Sequence, residues 1–406
     1  MQRNSITTVL ANVFLICALL PFLSPRPAAS DVQLPAFIVG FGILLRDLAK
    51  GRFALGWVEG LFLSVGIWSF CFVLPGNDFN VRERVGILMA FIVYYVVKKH
   101  AHRFSARMLV LAIVITFGSV LAQVLRPTLY QTVGPFLLRT VKDLSQGGRG
   151  ASGPSAEPSF LAAMALAHGL LVIYYYSVGR LGRWVFQACL AMSAASLLLS
   201  KSATGFMYFG VVALIGAVYY AFRGMTVGKW VGLLVSVAVL FAVILGPLAE
   251  SRGGIILVDL YNRPEQVLAD GSAQERVQCL TIGVLSMFKY PLGAGGGSFP
   301  AVALEMDRRY EFRAVFEQAN RDNLTGVLNA GGMYFTELGF VFLFFLGIVI
   351  GASVRIEVFS YLFSALALLF LMFSFSVTFP LTWLLLGLAA RKDFLAVRVR
   401  AIRRAA

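Results

Sequence analysis

The sequence predicts an all-α, polytopic integral membrane protein of about twelve transmembrane helices, and three observations lead there. The first is composition: of 406 residues, 59% are apolar and only 14% charged, against about 45–50% and about 25% in ordinary soluble domains. The second is distribution. Runs such as Val231–Leu248 and Val341–Val354 carry no charge at all. The third is size, because a single soluble core stops growing near ~250–300 residues and cannot hide this much apolar surface. These features exclude a soluble enzyme, a nucleic-acid-binding domain and a disordered chain.

A helix crosses the hydrocarbon with about 20 mostly apolar residues. Spans are expected near 6–23, 34–45, 53–74, 85–97, 107–125, 159–179, 184–200, 203–222, 230–248, 331–354, 358–373 and 376–390. The first could pass for a signal peptide, with Arg3 before it. No clear small-residue cleavage site follows, so it is expected to be retained. The stretch 358–390 is too long for one helix and is divided at Ser374–Phe375, with Pro380 expected to kink its second half.

The formal charge of +15 follows these spans rather than a nucleic-acid footprint. One set of connections holds Arg46, Lys50 and Arg52; Lys98, Lys99, Arg103 and Arg107; Arg180 and Arg183; Arg223 and Lys229; Arg355; and the basic tail from Arg391 to Arg404. The short connections between them carry only Arg26, Arg82, Arg84 and Lys201. The positive-inside bias then puts both termini in the cytoplasm. Five regions result: helices 1–5 in 1–125, a first long outer loop at 126–158, helices 6–9 in 159–248, a larger outer loop at 249–330, and helices 10–12 with the basic tail in 331–406. The larger loop is nearly charge-balanced, its basic residues facing ten acidic ones, which suits a folded cap. No internal inverted repeat is evident.

Cys17, Cys71 and Cys189 lie in apolar runs and only Cys279 in a polar one, so neither a disulfide framework nor a zinc spacing is available. His100, His102 and His168 form no metal cluster, and no metal site is predicted.

Chemistry can reside in the outer loops. The first ends in Gly147-Gly148-Arg149-Gly150-Ala151-Ser152-Gly153-Pro154-Ser155-Ala156-Glu157-Pro158-Ser159. Pro158 suits a first helical turn, which sets Glu157 at the positive end of the helix dipole. Arg149 and Glu157 then form an anion clamp with a proton acceptor; a flexible linker before a helix-start proline is the alternative. In the larger loop, 273–288 has apolar residues at helical spacing, followed by Lys289-Tyr290-Pro291-Leu292-Gly293-Ala294-Gly295-Gly296-Gly297. The glycines permit close backbone approach to a ligand, though that geometry taken alone favours a glycine turn capping an interfacial helix. Asn320-Arg321-Asp322-Asn323 precedes the tenth span, and Glu337 lies within it, an intramembrane carboxylate that is a functional candidate by default unless a structural partner such as Lys201 neutralises it. Tyr130, Tyr261, Tyr290, Tyr310 and Phe299 suit either sugar stacking or membrane anchoring.

Taken in order, Arg149…Glu157-Pro158-Ser159, Leu199-Ser200-Lys201-Ser202-Ala203-Thr204-Gly205, Arg276…Lys289-Tyr290-Pro291-Leu292-Gly293-Ala294-Gly295 and Thr336-Glu337-Leu338-Gly339 resemble the bacterial O-antigen polymerase and O-antigen ligase superfamily (Wzy-type polymerases, WaaL-type ligases and related exopolysaccharide polymerases). The resemblance covers roughly 107–354. It implies a GT-C-like glycosyltransferase with a large periplasmic loop in the bacterial inner membrane, acting on undecaprenyl-diphosphate-linked glycans at the periplasmic face. It implies no metal, nucleotide sugar or other cofactor, and as partners the lipid-linked glycan, membrane lipids and a chain-length regulator protein. Ligase-like members place a His in the large outer loop; none occurs here between 249 and 330, which favours a polymerase over a ligase.

Under this resemblance Arg149 and Arg276 hold the diphosphate, with Arg308, Arg309, Arg313 and Arg321 in secondary contact and Gly295 and Tyr290 lining the substrate site. A guanidinium fork stays charged and grips phosphate bidentately. Glu157 is the candidate general base, or else only orients an arginine. A secondary transporter or flippase is the rival class. It predicts ionisable residues at mid-membrane in several spans, whereas the charges here sit in outer loops and at helix ends.

Overall fold

The computed structural model describes residues 6–22, 34–72, 85–137, 150–221, 271–310, 329–354 and 357–391. Among these described residues the chain is all-helical, with no strand. The helices are α1 (Ile6–Leu19), α2 (Leu34–Ala49), α3 (Trp57–Cys71), α4 (Gly86–His100), α5 (Ala106–Leu125), α6 (Pro127–Leu137), α7 (Pro158–Ser177), α8 (Arg183–Leu199) and α9 (Ala203–Ala221). After these come α10 (Gly271–Lys289), α11 (Phe299–Tyr310), α12 (Ala330–Leu338), α13 (Phe340–Ser353), α14 (Val358–Phe373) and α15 (Pro380–Ala389). Two of them, α5 and α7, are long and apolar enough to cross a membrane, and seven further apolar helices run 10–17 residues. The expected span at 230–248 lies outside the described residues.

The two long helices differ in how they are used. In α7 every residue from Leu161 to Val172 is buried, as an all-round apolar helix requires. It packs on α5, α8, α9 and α14. In α5 the buried residues Leu109, Ala112, Ile113, Thr116, Val120 and Gln123 recur at helical spacing, while Leu111, Val114, Val124 and Leu125 are exposed. Beneath lies an aromatic core. Phe62 of α3 meets Tyr94 of α4 at 5.0 Å, Phe345 of α13 at 4.9 Å and Trp383 of α15 at 5.3 Å between ring centroids. The Trp383 indole N–H donates to Val377 O at 2.6 Å, so its burial leaves no polar atom unpaired.

Three expectations are corrected. The tenth span is not continuous. Gly339, at φ +57° and ψ −138°, ends α12 and starts α13; a Cβ there would lie 2.4 Å from Pro291 O, so the break is fixed by the incoming glycine loop. Pro380 does not kink a helix but occupies the first turn of α15, where its missing N–H breaks no bond; residues 374–379 form the turn before it. The first outer loop is partly helical, since α6 follows α5 directly after Arg126. The amphipathic helix expected at 273–288 is present as α10.

Helix ends gather at two sites. At one, Asp47 Oδ2 takes His100 Nε2 at 2.8 Å and the Tyr95 hydroxyl at 3.1 Å, with Lys99 Nζ at 3.4 Å. Lys98 Nζ pairs with Glu59 at 2.5 Å. These bonds staple α2, α3 and α4 together. At the other end Phe160 of α7 packs between Phe22 and Phe375, at 5.7 and 4.7 Å, and Ala330 N reaches Phe375 O at 3.0 Å. The outer-loop motifs converge here.

Candidate active site

Glu157 stands at the N-cap of α7 in extended conformation, and its side chain does not cap the helix. The carboxylate instead points to Arg276, with Oε2 at 3.7 Å from Nη2. Arg276, in the second turn of α10, is buried to 8% exposure. Its guanidinium donates to Thr204 Oγ1 at 3.2 Å and Ser159 Oγ at 3.1 Å, and Ser159 Oγ also lies 3.4 Å from Glu157 Oε2. Asn329 caps α12 by accepting the Gly332 N–H at 2.7 Å and donates its amide to Arg276 O at 3.1 Å. Segments 157–159 and 204 thus meet at the Arg276 guanidinium, and Asn329 holds the same residue by its backbone carbonyl. The arginine is the sealed member, while the Glu157 side chain remains 38% exposed.

Each segment is placed by a local device. Gly150 fits because a Cβ would fall 2.0 Å from Ser200 O, and Ala151 N donates to Leu199 O at 2.9 Å. Gly153 makes the turn at φ +52°. Its carbonyl accepts the buried Tyr130 hydroxyl, and burial pushes that phenol up to about 12, so it remains a donor at any working pH. Ser202 caps α9, its hydroxyl accepting Gly205 N at 3.3 Å. Arg276 is brought in by the contact of α10 with α12. A Cβ on Gly283 would stand 2.6 Å from Gly332 O, and one on Gly332 would stand 2.4 Å from Cys279 O, so the two backbones touch only because both positions are glycine.

The glycine loop after α10 is wedged against the end of α12. Gly293, at φ +92°, faces Glu337 O, which a Cβ would approach to 2.1 Å. Ala294 N donates to Thr336 O at 2.9 Å, Gly295 N to Glu337 O at 3.2 Å and Gly296 N to Phe72 O at 3.0 Å. Glu337, 1% exposed, accepts the Gly297 N–H at 2.7 Å. These amides are committed within the protein, and the buried Glu337 carboxylate anchors the loop. Lys201, weighed as its counter-charge, stands exposed in a positive-φ turn after α8.

The other candidates divide. Tyr290 donates its hydroxyl to Glu305 Oε2 at 2.8 Å, and Lys289 pairs with the same carboxylate. Arg308 and Arg309 are exposed in the last turn of α11, with the Arg309 guanidinium 5.5 Å from the Tyr310 ring centroid. Arg149, Arg313, Arg321, Tyr261 and the 320–323 cluster lie outside the described residues. Among the described residues no group of three His, Cys, Asp or Glu side chains is arranged to hold a metal ion.

Ser159 and Thr204 belonged to the motifs without an assigned role, and their contact with Arg276 spans 117 positions for Ser159, which no local pattern reveals. Asn329 carried a readable signal, a cap-forming residue directly before Ala330-Gly331-Gly332. Compared with protein-family models and with curated proteins, the chain matches none.

Proposed function

We propose that this chain is a polytopic inner-membrane glycosyltransferase that polymerises undecaprenyl-diphosphate-linked oligosaccharides at the periplasmic face. The observation that carries the proposal is the meeting of Arg276 with Glu157, Ser159 and Thr204. It joins three of the four segments on which the family resemblance rests, and it pairs a fixed cation with an open carboxylate.

The reaction asks for that pairing. An acceptor sugar hydroxyl attacks C1 of the lipid-linked chain, its oxygen forms the new glycosidic bond, and the C1–O bond to the diphosphate breaks with its electron pair. Arg276, and Arg149 beside it in the scheme, neutralise charge developing on the leaving diphosphate. Donors already fixed where charge develops contribute most when they need not reorganise, and Thr204 and Ser159 supply that fixation. Glu157 takes the hydroxyl proton, a role typically worth ~10²–10⁴-fold. Its dual placement, within reach of Arg276 yet open to substrate, suits a base better than a purely structural ion pair.

The membrane setting draws on the exposed side chains. Ile38, Trp57, Leu125, Trp184, Leu214 and Phe344 are each more than half exposed, the large apolar side chains that a bilayer would cover. Among the described residues Arg46, Lys98, Lys99 and Arg103 cluster at the helix ends that Asp47 and Glu59 join, which fits about twelve spans with both termini cytoplasmic.

A surface-glycan gel of a host lacking this gene, with its lipid-linked intermediates, tests the proposal. Single repeat units without a ladder are expected. Full-length polymer stranded on lipid diphosphate would indicate a ligase, and an unchanged profile would return the chain to the transporter class.

A further inference from the structure

The geometry points to Gln123 and Tyr130 as positioning residues that set the shape of the 150–157 segment and, through it, the place of Glu157. The inference rests on the polymerase proposal only for its link to turnover; the clamp itself stands on hydrogen bonds. Gln123 lies in the last turn of the apolar helix α5 and is 2% exposed. An amide buried in such surroundings is costly without partners. Three of its hydrogen bonds go to one turn. Oε1 accepts the Ser152 N–H at 2.9 Å and the Gly153 N–H at 2.8 Å, and Nε2 donates to Ser152 Oγ at 3.2 Å. Tyr130, reaching in from α6, donates to the Gly153 carbonyl.

Two side chains from α5 and α6 therefore take both N–H groups of Ser152 and Gly153 and the Gly153 carbonyl. From this point the bonds run forward to the site. Ser155 N donates to Ser152 O at 3.0 Å, and the Ser155 hydroxyl shares its single proton between Ser152 O at 2.7 Å and Glu157 O at 2.8 Å. Glu157 O then accepts Leu161 N at 3.1 Å as α7 begins. The clamp sits in sequence just before Glu157, so the path of the chain into α7 depends on it. Neither residue has a part in the bond changes of the reaction. Insertion of α5 gains nothing from an amide in its outer turn, and α6 gains nothing from a buried hydroxyl.

The test compares the purified full-length chain with Gln123→Leu, Gln123→Glu and Tyr130→Phe by hydrogen–deuterium exchange, alongside kcat and KM on a lipid-diphosphate-linked repeat unit. Gln123→Leu removes the acceptor; Gln123→Glu keeps it and lets the Ser152 hydroxyl turn round as donor. Exchange of amides 151–155 is expected to quicken roughly tenfold in Gln123→Leu while α12 and α15 keep their protection, because the opening is local. kcat should fall by about 10²-fold, the cost of displacing a reacting group by ~1 Å, with KM nearly unchanged. Gln123→Glu should restore both, and Tyr130→Phe should show the same pattern more weakly. Unchanged exchange in Gln123→Leu overturns the clamp, as does loss of protection throughout the chain with no rescue by Gln123→Glu. Faster local exchange with wild-type kcat overturns the link to Glu157. Exchange that responds to Gln123 in a wild-type chain that makes no polymer upholds the clamp and removes the polymerase proposal instead.

Discussion

The two ends of the bundle each hold a carboxylate facing cations, and they treat it in opposite ways. Asp47 is 4% exposed and takes His100, Tyr95 and Lys99 within 3.4 Å. Glu157 is 38% exposed along its side chain and stands 3.7 Å from its arginine, which is itself bound by Thr204 and Ser159. A charge used to hold helices together is surrounded and closed. In the proposed site the cation is closed and the carboxylate is left open, the arrangement needed if a substrate must reach it. The difference separates an architectural ion cluster from the one proposed to react.

The largest effects should come from breaking the open pair. Arg276→Ala is expected to abolish polymer formation, at least about 10²–10³-fold by the usual cost of losing one fixed donor to developing charge, while membrane insertion by fractionation stays normal. Glu157→Gln keeps shape and removes basicity. Turnover should fall ~10²–10⁴-fold with binding of the lipid-linked substrate little changed; wild-type turnover would remove Glu157 from the base role. Asp47→Ala should give the reverse phenotype. It strands a buried imidazole and an ammonium, costing about 3 kcal/mol, read as a lower unfolding temperature in detergent, with kcat per folded molecule unchanged. A loss of kcat without a loss of stability would erase the contrast between the two ends. Gly332→Ala is the mildest of the four. Its Cβ would strike Cys279 O at 2.4 Å, so overpacking of about 1–3 kcal/mol should part α10 from α12 and lower thermal stability and activity together.

The sequence made the helices legible where apolar runs end in charges or polar turns. The division of 358–390 at Ser374 matches the structure, since α14 ends at Phe373 with Ser374 as its C-cap, and α10 was readable from its apolar spacing. The break at Gly339 was not readable, since a lone glycine before a further apolar run is no helix stop by itself and the cause lies in Tyr290–Gly293, which arrives from another segment. The run Gly293–Gly297 read as a helix cap sooner than as a ligand cradle. Its N–H groups are taken by Thr336, Glu337 and Phe72, and close packing accounts for glycine at 293. Arg276 and Glu157 were each singled out from their own motifs, but their pairing depends on how α10 lies on α12, and that is set by the Gly283–Gly332 contact. Ser159, Thr204, Asn329 and Gln123 act through long-range contacts that periodicity does not report.

The most direct measurement is polymerisation by the purified chain in proteoliposomes supplied with a single lipid-diphosphate-linked repeat unit, run beside Arg276→Ala and Glu157→Gln. The wild-type chain should build a ladder without added metal or nucleotide sugar, and both variants, folded to the same unfolding temperature, should leave the repeat unit unextended. A ladder of equal length from either variant, or none from the wild type, would contradict the assignment of this site.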